Sequence, residues 1–163
     1  MVISRITSGL GNQLFQYACG RAVSLRHGVP LKLDLQNFRE SQARRYGLDA
    51  FKIRAEEATP GEIREFLQTD SFWHRLTTPR PRRRVLRELG FGFDETVLHA
   101  GPDVYLSGYW QSPKYFADAA TRLRQELTWW MPPPEATLRF LQKMDETAAV
   151  AVHVRRGDYV SNP

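Results

Sequence analysis

The stretch Val2-Ile3-Ser4-Arg5-Ile6-Thr7-Ser8-Gly9-Leu10-Gly11-Asn12, with the helical pattern behind it, decides the fold class. Residues 2–6 read as a short strand and 7–12 as a turn rich in small residues. From about residue 12 to 26 the pattern is helical, because Phe15, Ala18, Ala22 and Leu25 recur at spacings of three and four. Gly28 suits a helix C-cap, and residues 29–35 resume as a strand. Strand, glycine loop, helix, strand is a βαβ unit, and such units build a parallel sheet covered by helices. The expected fold is α/β, a Rossmann-like parallel sheet with flanking helices.

The loop Ser8-Gly9-Leu10-Gly11-Asn12-Gln13 admits three readings. Glycines let the backbone approach an anion at a helix N-terminus, where unpaired N–H groups and partial positive charge converge. A dinucleotide fold wants Gly-x-Gly-x-x-Gly, but Leu14 stands at the third glycine position. Asp34, at the end of the second strand, stands where a ribose-binding acid would. The second reading has Asn12 and Gln13 facing a ligand directly. The third is a tight turn with Asn12 as N-cap.

Further along, Thr59-Pro60-Gly61-Glu62 has the form of a capping box with proline at the first helical position, and Ile63, Phe66 and Leu67 form the buried face. Residues 71–93 give no clear pattern. Residues 104–106 read as a strand. Ser112-Pro113 opens a helix with Phe116, Ala120, Leu123 and Leu127 as its stripe. On its exposed side Asp118 can pair with Arg122, and Arg122 with Glu126. Trp129 and Trp130 read as packing. Pro132-Pro133-Pro134 marks a linker, so the expected domains are 1–131 and 132–163. Leu138, Leu141 and Met144 mark a last helix. The alternating run of residues 150–154 then reads as a buried strand delivering Arg155 and Arg156 to a turn with Asp158. The guanidinium fork suits phosphate oxygens. His153 shares a strand face with Arg155.

The chain has 163 residues, 42% hydrophobic and 25% charged, with a net charge of +5 and a pI near 9.7. It is long enough for one domain with a real core. No apolar run approaches the roughly 18–20 residues of a membrane span, and no continuous apolar stretch follows Arg5 as in a signal peptide. The single Cys19 fits a reducing compartment. A cytoplasmic location is expected. Much of the positive excess sits at Arg80, Arg82, Arg83, Arg84 and Arg87. Without aromatic interleaving or a nucleic-acid motif, this run reads as a solvated basic loop and no nucleic-acid partner is expected. It also suits attraction of anionic substrates such as sugar nucleotides.

Three blocks of sequence carry a resemblance. Gly9-Leu10-Gly11-Asn12-Gln13-Leu14-Phe15-Gln16-Tyr17-Ala18 resembles the opening motif of the bacterial α-1,2-fucosyltransferases of glycosyltransferase family 11. Gly108-Tyr109-Trp110-Gln111-Ser112-Pro113-Lys114-Tyr115-Phe116 is similar to a second block of that family. His153-Val154-Arg155-Arg156-Gly157-Asp158-Tyr159-Val160 resembles its donor-binding motif. The resemblance implies transfer of L-fucose from GDP-L-fucose to the 2-hydroxyl of a galactose-containing glycan, with inversion. It implies a two-domain GT-B-like architecture and no cofactor or metal. The absence of an Asp-x-Asp pair agrees with metal independence, leaving the diphosphate to cationic side chains. Family members are longer beyond the Arg155–Asp158 block, so the chain is expected to be an inactive N-terminal piece.

On this resemblance Arg155, Asn12 and Asp158 are the candidate catalytic residues. Arg155 would neutralise the departing β-phosphate, Asn12 would orient a hydroxyl or phosphate oxygen, and Asp158 would orient an arginine or exchange a proton. Gly9, Gly11, Asn12, Gln13, His153, Arg155 and Arg156 are the expected donor contacts. Tyr109, Trp110 and Gln111 are the expected acceptor platform; core packing of Tyr109 and Trp110 is the alternative. A lipid-linked acceptor would bring the protein to the inner membrane as a peripheral guest. A non-catalytic binding module and a dinucleotide-dependent oxidoreductase remain as alternatives.

Overall fold

A computed structural model describes residues 1–40, 44–90, 92–152 and 154. Its contacts divide the chain into two units, Met1–Trp130 and Met131–Pro163.

The first unit is built on β1 (Val2–Arg5), β2 (Leu31–Asp34), β3 (Glu56–Glu57), β4 (Val85–Arg87) and β5 (Val104–Ser107). They form one sheet of order β3-β2-β1-β5-β4, parallel throughout. The helices of the unit are α1 (Leu10–His27), α2 (Gln36–Glu40), α3 (Pro60–Gln68), α4 (Phe72–Thr77) and α5 (Ala120–Glu126). Successive strand residues face opposite sides of a sheet. Val2, Leu31, Leu33, Leu86, Val104 and Leu106 therefore join α1 in one core, while Ile3, Val85 and Tyr105 meet Ile63 and Phe66 of α3 in a second. Both faces are covered, which is why β1, β4 and β5 open on consecutive apolar residues, Val2-Ile3, Val85-Leu86 and Val104-Tyr105-Leu106.

The βαβ reading of residues 2–35 holds. Helix α1 begins two residues earlier than its pattern suggests and ends at Gly28 in the left-handed region (φ 63°). Its buried face differs from the expected one: Leu25 is 37% exposed, while Gln13, Gln16 and Ser24 are buried. Those polar residues are tolerated inside because each is hydrogen-bonded. The capping box at Thr59 forms as expected, with Glu62 and Thr59 bonding each other's backbone N–H. A 2.5 Å bond from the Lys32 ammonium, then the Thr59 amide, holds the Glu62 carboxyl down at about 2. Leu67 lies exposed, outside that helix's core face.

Three further expectations are corrected. The segment opened by Ser112 starts as two 3₁₀ turns, Pro113–Tyr115 and Ala117–Ala119, and only then becomes α5. Phe116, at φ −137°, interrupts the helical backbone between them. The pairs expected along α5 go elsewhere. Asp118 is taken by Arg26 of α1 at 2.6 Å. Glu126 is buried and taken by Arg21 at 2.7 Å. Neighbouring-helix arginines outcompete Arg122 because they approach from the packed side. The basic run is no free loop either. Arg80 pairs with Asp94, Arg84 with Asp103 at 2.7 Å and Glu65 at 3.0 Å, and Arg87 with Asp70 at 2.9 Å. These arginines fasten the β4 edge of the sheet. Trp129 packs as expected, stacked on Phe51 at 4.5 Å, whereas Trp130 is largely exposed.

In the second unit the described regular element is α6 (Glu135–Asp145). Residues 150–152 and 154 form no strand, and Val150, Val152 and Val154 are exposed. A strand requires a hydrogen-bonded neighbour, and the described residues of this unit supply none. Among the described residues no helix is long and apolar enough to cross a membrane.

Candidate functional site

In the sheet order, β1 is followed by β2 on one side and flanked by β5 on the other, so the chain's winding reverses between β1 and β5. Ligands of open α/β sheets bind beyond the carboxyl ends of the strands at such a reversal. A cleft of about 430 Å³ lies there, within the range of small-molecule sites. It is lined by Arg5 at the end of β1 and Thr7 beyond it, Asn37 of α2, Glu88 after β4, Ser107 at the end of β5, and Gly108 and Tyr109 beyond it. Hydroxyls, an amide, a phenol ring and one charge of each sign suit a polyhydroxylated ligand.

Two loops form the rim. In the first, between β1 and α1, Gly9 is the N-cap of α1 and provides no side-chain cap. Asn12 is therefore not the N-cap; it sits in the first turn. Its Nδ2 donates to Ser8 Oγ at 2.9 Å. Its Oδ1 accepts from Gln111 Nε2 at 2.6 Å. This contact joins the glycine loop to the second loop across 99 residues. Ser8 is held in the left-handed region (φ 68°), a conformation that costs a non-glycine residue of order 1–3 kcal/mol. A Cβ added at Gly9 or Gly11 would meet nothing within 4 Å, so open space lies over both glycines.

Gln13 does not face a ligand. It is fully buried, donating to the carbonyls of Ser8 and Arg45 at 2.9 and 2.8 Å and accepting from Gly47 N–H at 2.9 Å. Gln16 likewise accepts from Thr7 N–H at 2.9 Å. The two amides brace the loop from beneath.

The second loop follows β5. The Glu88 carboxylate accepts from the N–H of Tyr109 at 2.7 Å and of Trp110 at 3.0 Å. That clamp accompanies a left-handed Trp110 (φ 54°). Tyr109 is 38% exposed and lines the cleft, and Gln111 reaches Asn12. Trp110 is corrected: it is 0% exposed and meets Tyr115 edge to face at 5.6 Å. A ring so enclosed offers no face to a sugar. The turn leaves no room at Gly108, where a Cβ would lie 2.5 Å from Glu88 Cβ and 2.9 Å from the Trp110 ring. Gly108→Ala should cost about 1–3 kcal/mol through overpacking and displace Tyr109. Urea unfolding together with the Tyr109 amide shift checks this; an unchanged midpoint and shift would refute it.

Asp34 is not available to a ribose. It is buried, accepting from the Tyr105 hydroxyl at 2.6 Å and from Gln36 N–H at 3.0 Å. Burial, then the Asp34 carboxylate, pushes the Tyr105 phenol well up. Tyr105→Phe should cost about 1–3 kcal/mol, the penalty of a buried acceptor losing its partner, as read by thermal unfolding. An unshifted transition would show that water or another donor serves Asp34.

His153, Arg155, Arg156 and Asp158 lie outside the described residues. The cleft brings together Arg5, Thr7, Asn37, Glu88 and Ser107, none of which the sequence reading singled out. They come from five chain positions united only by strand alignment; the one available signal was their place at or shortly after the carboxyl end of a strand.

Comparison with known proteins adds the family. The model of glycosyl transferase family 11 matches residues 90–163. An alpha-1,2-colitosyltransferase of Escherichia coli is 30% identical over 168 residues, covering 99% of this chain and 56% of the relative. The chain thus spans about half the length of the curated relative it matches. No solved structure matches.

Proposed function

The chain belongs to glycosyltransferase family 11, and from that premise we propose that it takes part in moving L-fucose from GDP-L-fucose to the 2-hydroxyl of a galactoside with inversion. The observation that carries this reading is the polar cleft at the β1/β5 reversal, together with the Asn12–Gln111 contact between the loops that follow β1 and β5. The contact joins the first two of the three resembling blocks, which supports a shared role for them.

In the proposed reaction the acceptor oxygen forms a bond to the anomeric carbon as the bond to GDP breaks, and the acceptor proton is released. Negative charge builds on the departing β-phosphate, so a cation aimed there acts more strongly in the transition state than before it. Arg155 is assigned that task. His153 and Arg156 accompany it on the donor, and Asp158 orients the arginines. Arginines in place of a divalent ion make the chemistry metal-independent. Gly9 and Gly11 leave room for the donor, and Asn12 orients a hydroxyl or a phosphate oxygen through its amide. Tyr109 and Gln111 take the acceptor, with Tyr109 as the apolar face. A GT-B arrangement, in which residues from 132 onward open the donor-binding domain, completes the reading. A lipid-linked acceptor would bring the protein to a membrane surface.

The name of the Escherichia coli relative makes colitose the second donor sugar to test. The protein that carries this sequence is incubated with a β-galactoside and either GDP-fucose or activated colitose. Formation of an α-1,2-linked product with fucose supports the proposal. Product with colitose alone replaces the donor sugar, and no product with either refutes the transferase reading.

A further inference from the structure

We infer that Arg5 makes the cleft at the β1/β5 reversal a site for an acidic sugar, one bearing a carboxylate or phosphate that the guanidinium receives. This rests on the reading of that cleft as an acceptor site and names the class of acceptor. Arg5 is the last residue of β1, is exposed, and lines the cleft.

Among the described residues it makes no ion pair and no side-chain hydrogen bond, although carboxylates stand close by. Asp34, its register partner across β2, is occupied by the Tyr105 hydroxyl and the Gln36 N–H. Glu88, on the wall of the same cleft, spends one oxygen on each of two backbone N–H groups. The equivalent residue at the end of β4, Arg87, is neutralised by Asp70. Elsewhere in the unit Arg21, Arg26, Arg39, Arg80 and Arg84 have carboxylate partners; Arg54, Arg64 and Arg122 have none among the described residues, but they do not line the cleft.

A guanidinium left free in a concave site exerts a focused field, and its planar fork matches an oxyanion in two parallel hydrogen bonds. The neighbours fit the rest of a sugar. Thr7 and Ser107 carry hydroxyls, Asn37 carries an amide with donors and an acceptor, and Tyr109 carries a ring. A ligand with one anionic group and several hydroxyls meets Arg5, Thr7, Asn37, Ser107 and Tyr109, with the Glu88 oxygens already engaged by two backbone N–H groups, whereas a bare anion meets Arg5 alone.

The test is an NMR titration of the full chain at low salt, reading the Gly108 and Tyr109 amides. The probes are D-galactose, D-galacturonate, D-galactose 6-phosphate and inorganic phosphate. At least one acidic sugar should bind about tenfold tighter than galactose, a single charge-assisted contact's worth. The preferred acid tells carboxylate from phosphate. Arg5→Gln should abolish the preference for the acidic sugars over galactose, and Arg5→Lys should restore part of it. Equal affinity for all three sugars, or a preference surviving in Arg5→Gln, overturns the inference. Inorganic phosphate binding as tightly as the sugar phosphate overturns its sugar part. No amide shift with any sugar overturns it entirely. Transfer to a neutral β-galactoside decides the glycosyltransferase reading separately.

Discussion

Replacing Glu126 by alanine should remove about 3–5 kcal/mol of folding stability, the cost of breaking a buried ion pair from one side. Glu126, at the end of α5, is 3% exposed. Its two oxygens receive Arg21 Nη2 at 2.7 Å and Nε at 2.9 Å, together with the Tyr17 hydroxyl. Tyr17 in turn accepts from the Arg54 N–H at 3.1 Å. One carboxylate thus holds α5, α1 and the segment after Phe51 together. Alanine would strand a mostly buried guanidinium and free the Tyr17 hydroxyl. For a chain of this length the melting temperature should fall by roughly 10 °C, and Glu126→Gln should fall less because it keeps the shape.

The same site predicts an acid response. Burial pushes the Glu126 carboxyl up, but Arg21 and Tyr17 outweigh it and hold the group below its ordinary value. The folded state therefore favours the ionised form. Its contribution is complete above the ordinary carboxylate range and is lost as pH falls through the lowered value. Urea unfolding at descending pH should show this loss in the native sequence and a shallower one in Glu126→Gln. Identical slopes would mean that the pair does not stabilise the fold.

The largest effect on activity is expected at Arg155. On the proposed mechanism Arg155→Ala should lower kcat about 10²- to 10³-fold, as removal of a charge-stabilising donor does elsewhere, with a smaller change in KM. Arg155→Lys should fall between, since it keeps charge but loses the fork. Steady-state fucose transfer by the protein carrying this sequence measures both. Near-native turnover in the alanine variant would take Arg155 out of the mechanism.

The βαβ unit was legible in the sequence because a glycine loop, a helical period and a capping glycine all agreed within residues 2–35. The capping box at Thr59 was legible for the same reason: its signal is local. What escaped was decided by tertiary contact. Charges four apart on α5 suggested pairs with Arg122, but Arg21 and Arg26 claimed them from the neighbouring helix. Trp110 looked like a sugar platform beside Tyr109, yet its positive φ and the Glu88 clamp accompany its burial. Gln13, expected to face the donor, is buried and braces a loop together with Gln16. The cleft residues carried no spacing signal, since the pairing of strands far apart in the chain is what brings them together.

That last point bears on synthesis. Among the described residues β4 has β5 as its sole sheet neighbour, and β5 also completes the open flank of β1. A nascent polypeptide translated as far as Arg87 therefore carries a central strand with a bare edge and a fourth strand with nothing to hold. Unpaired edges invite association between chains. The ribosome must deliver another twenty or so residues before that exposure ends, so this window is where a chaperone would matter most.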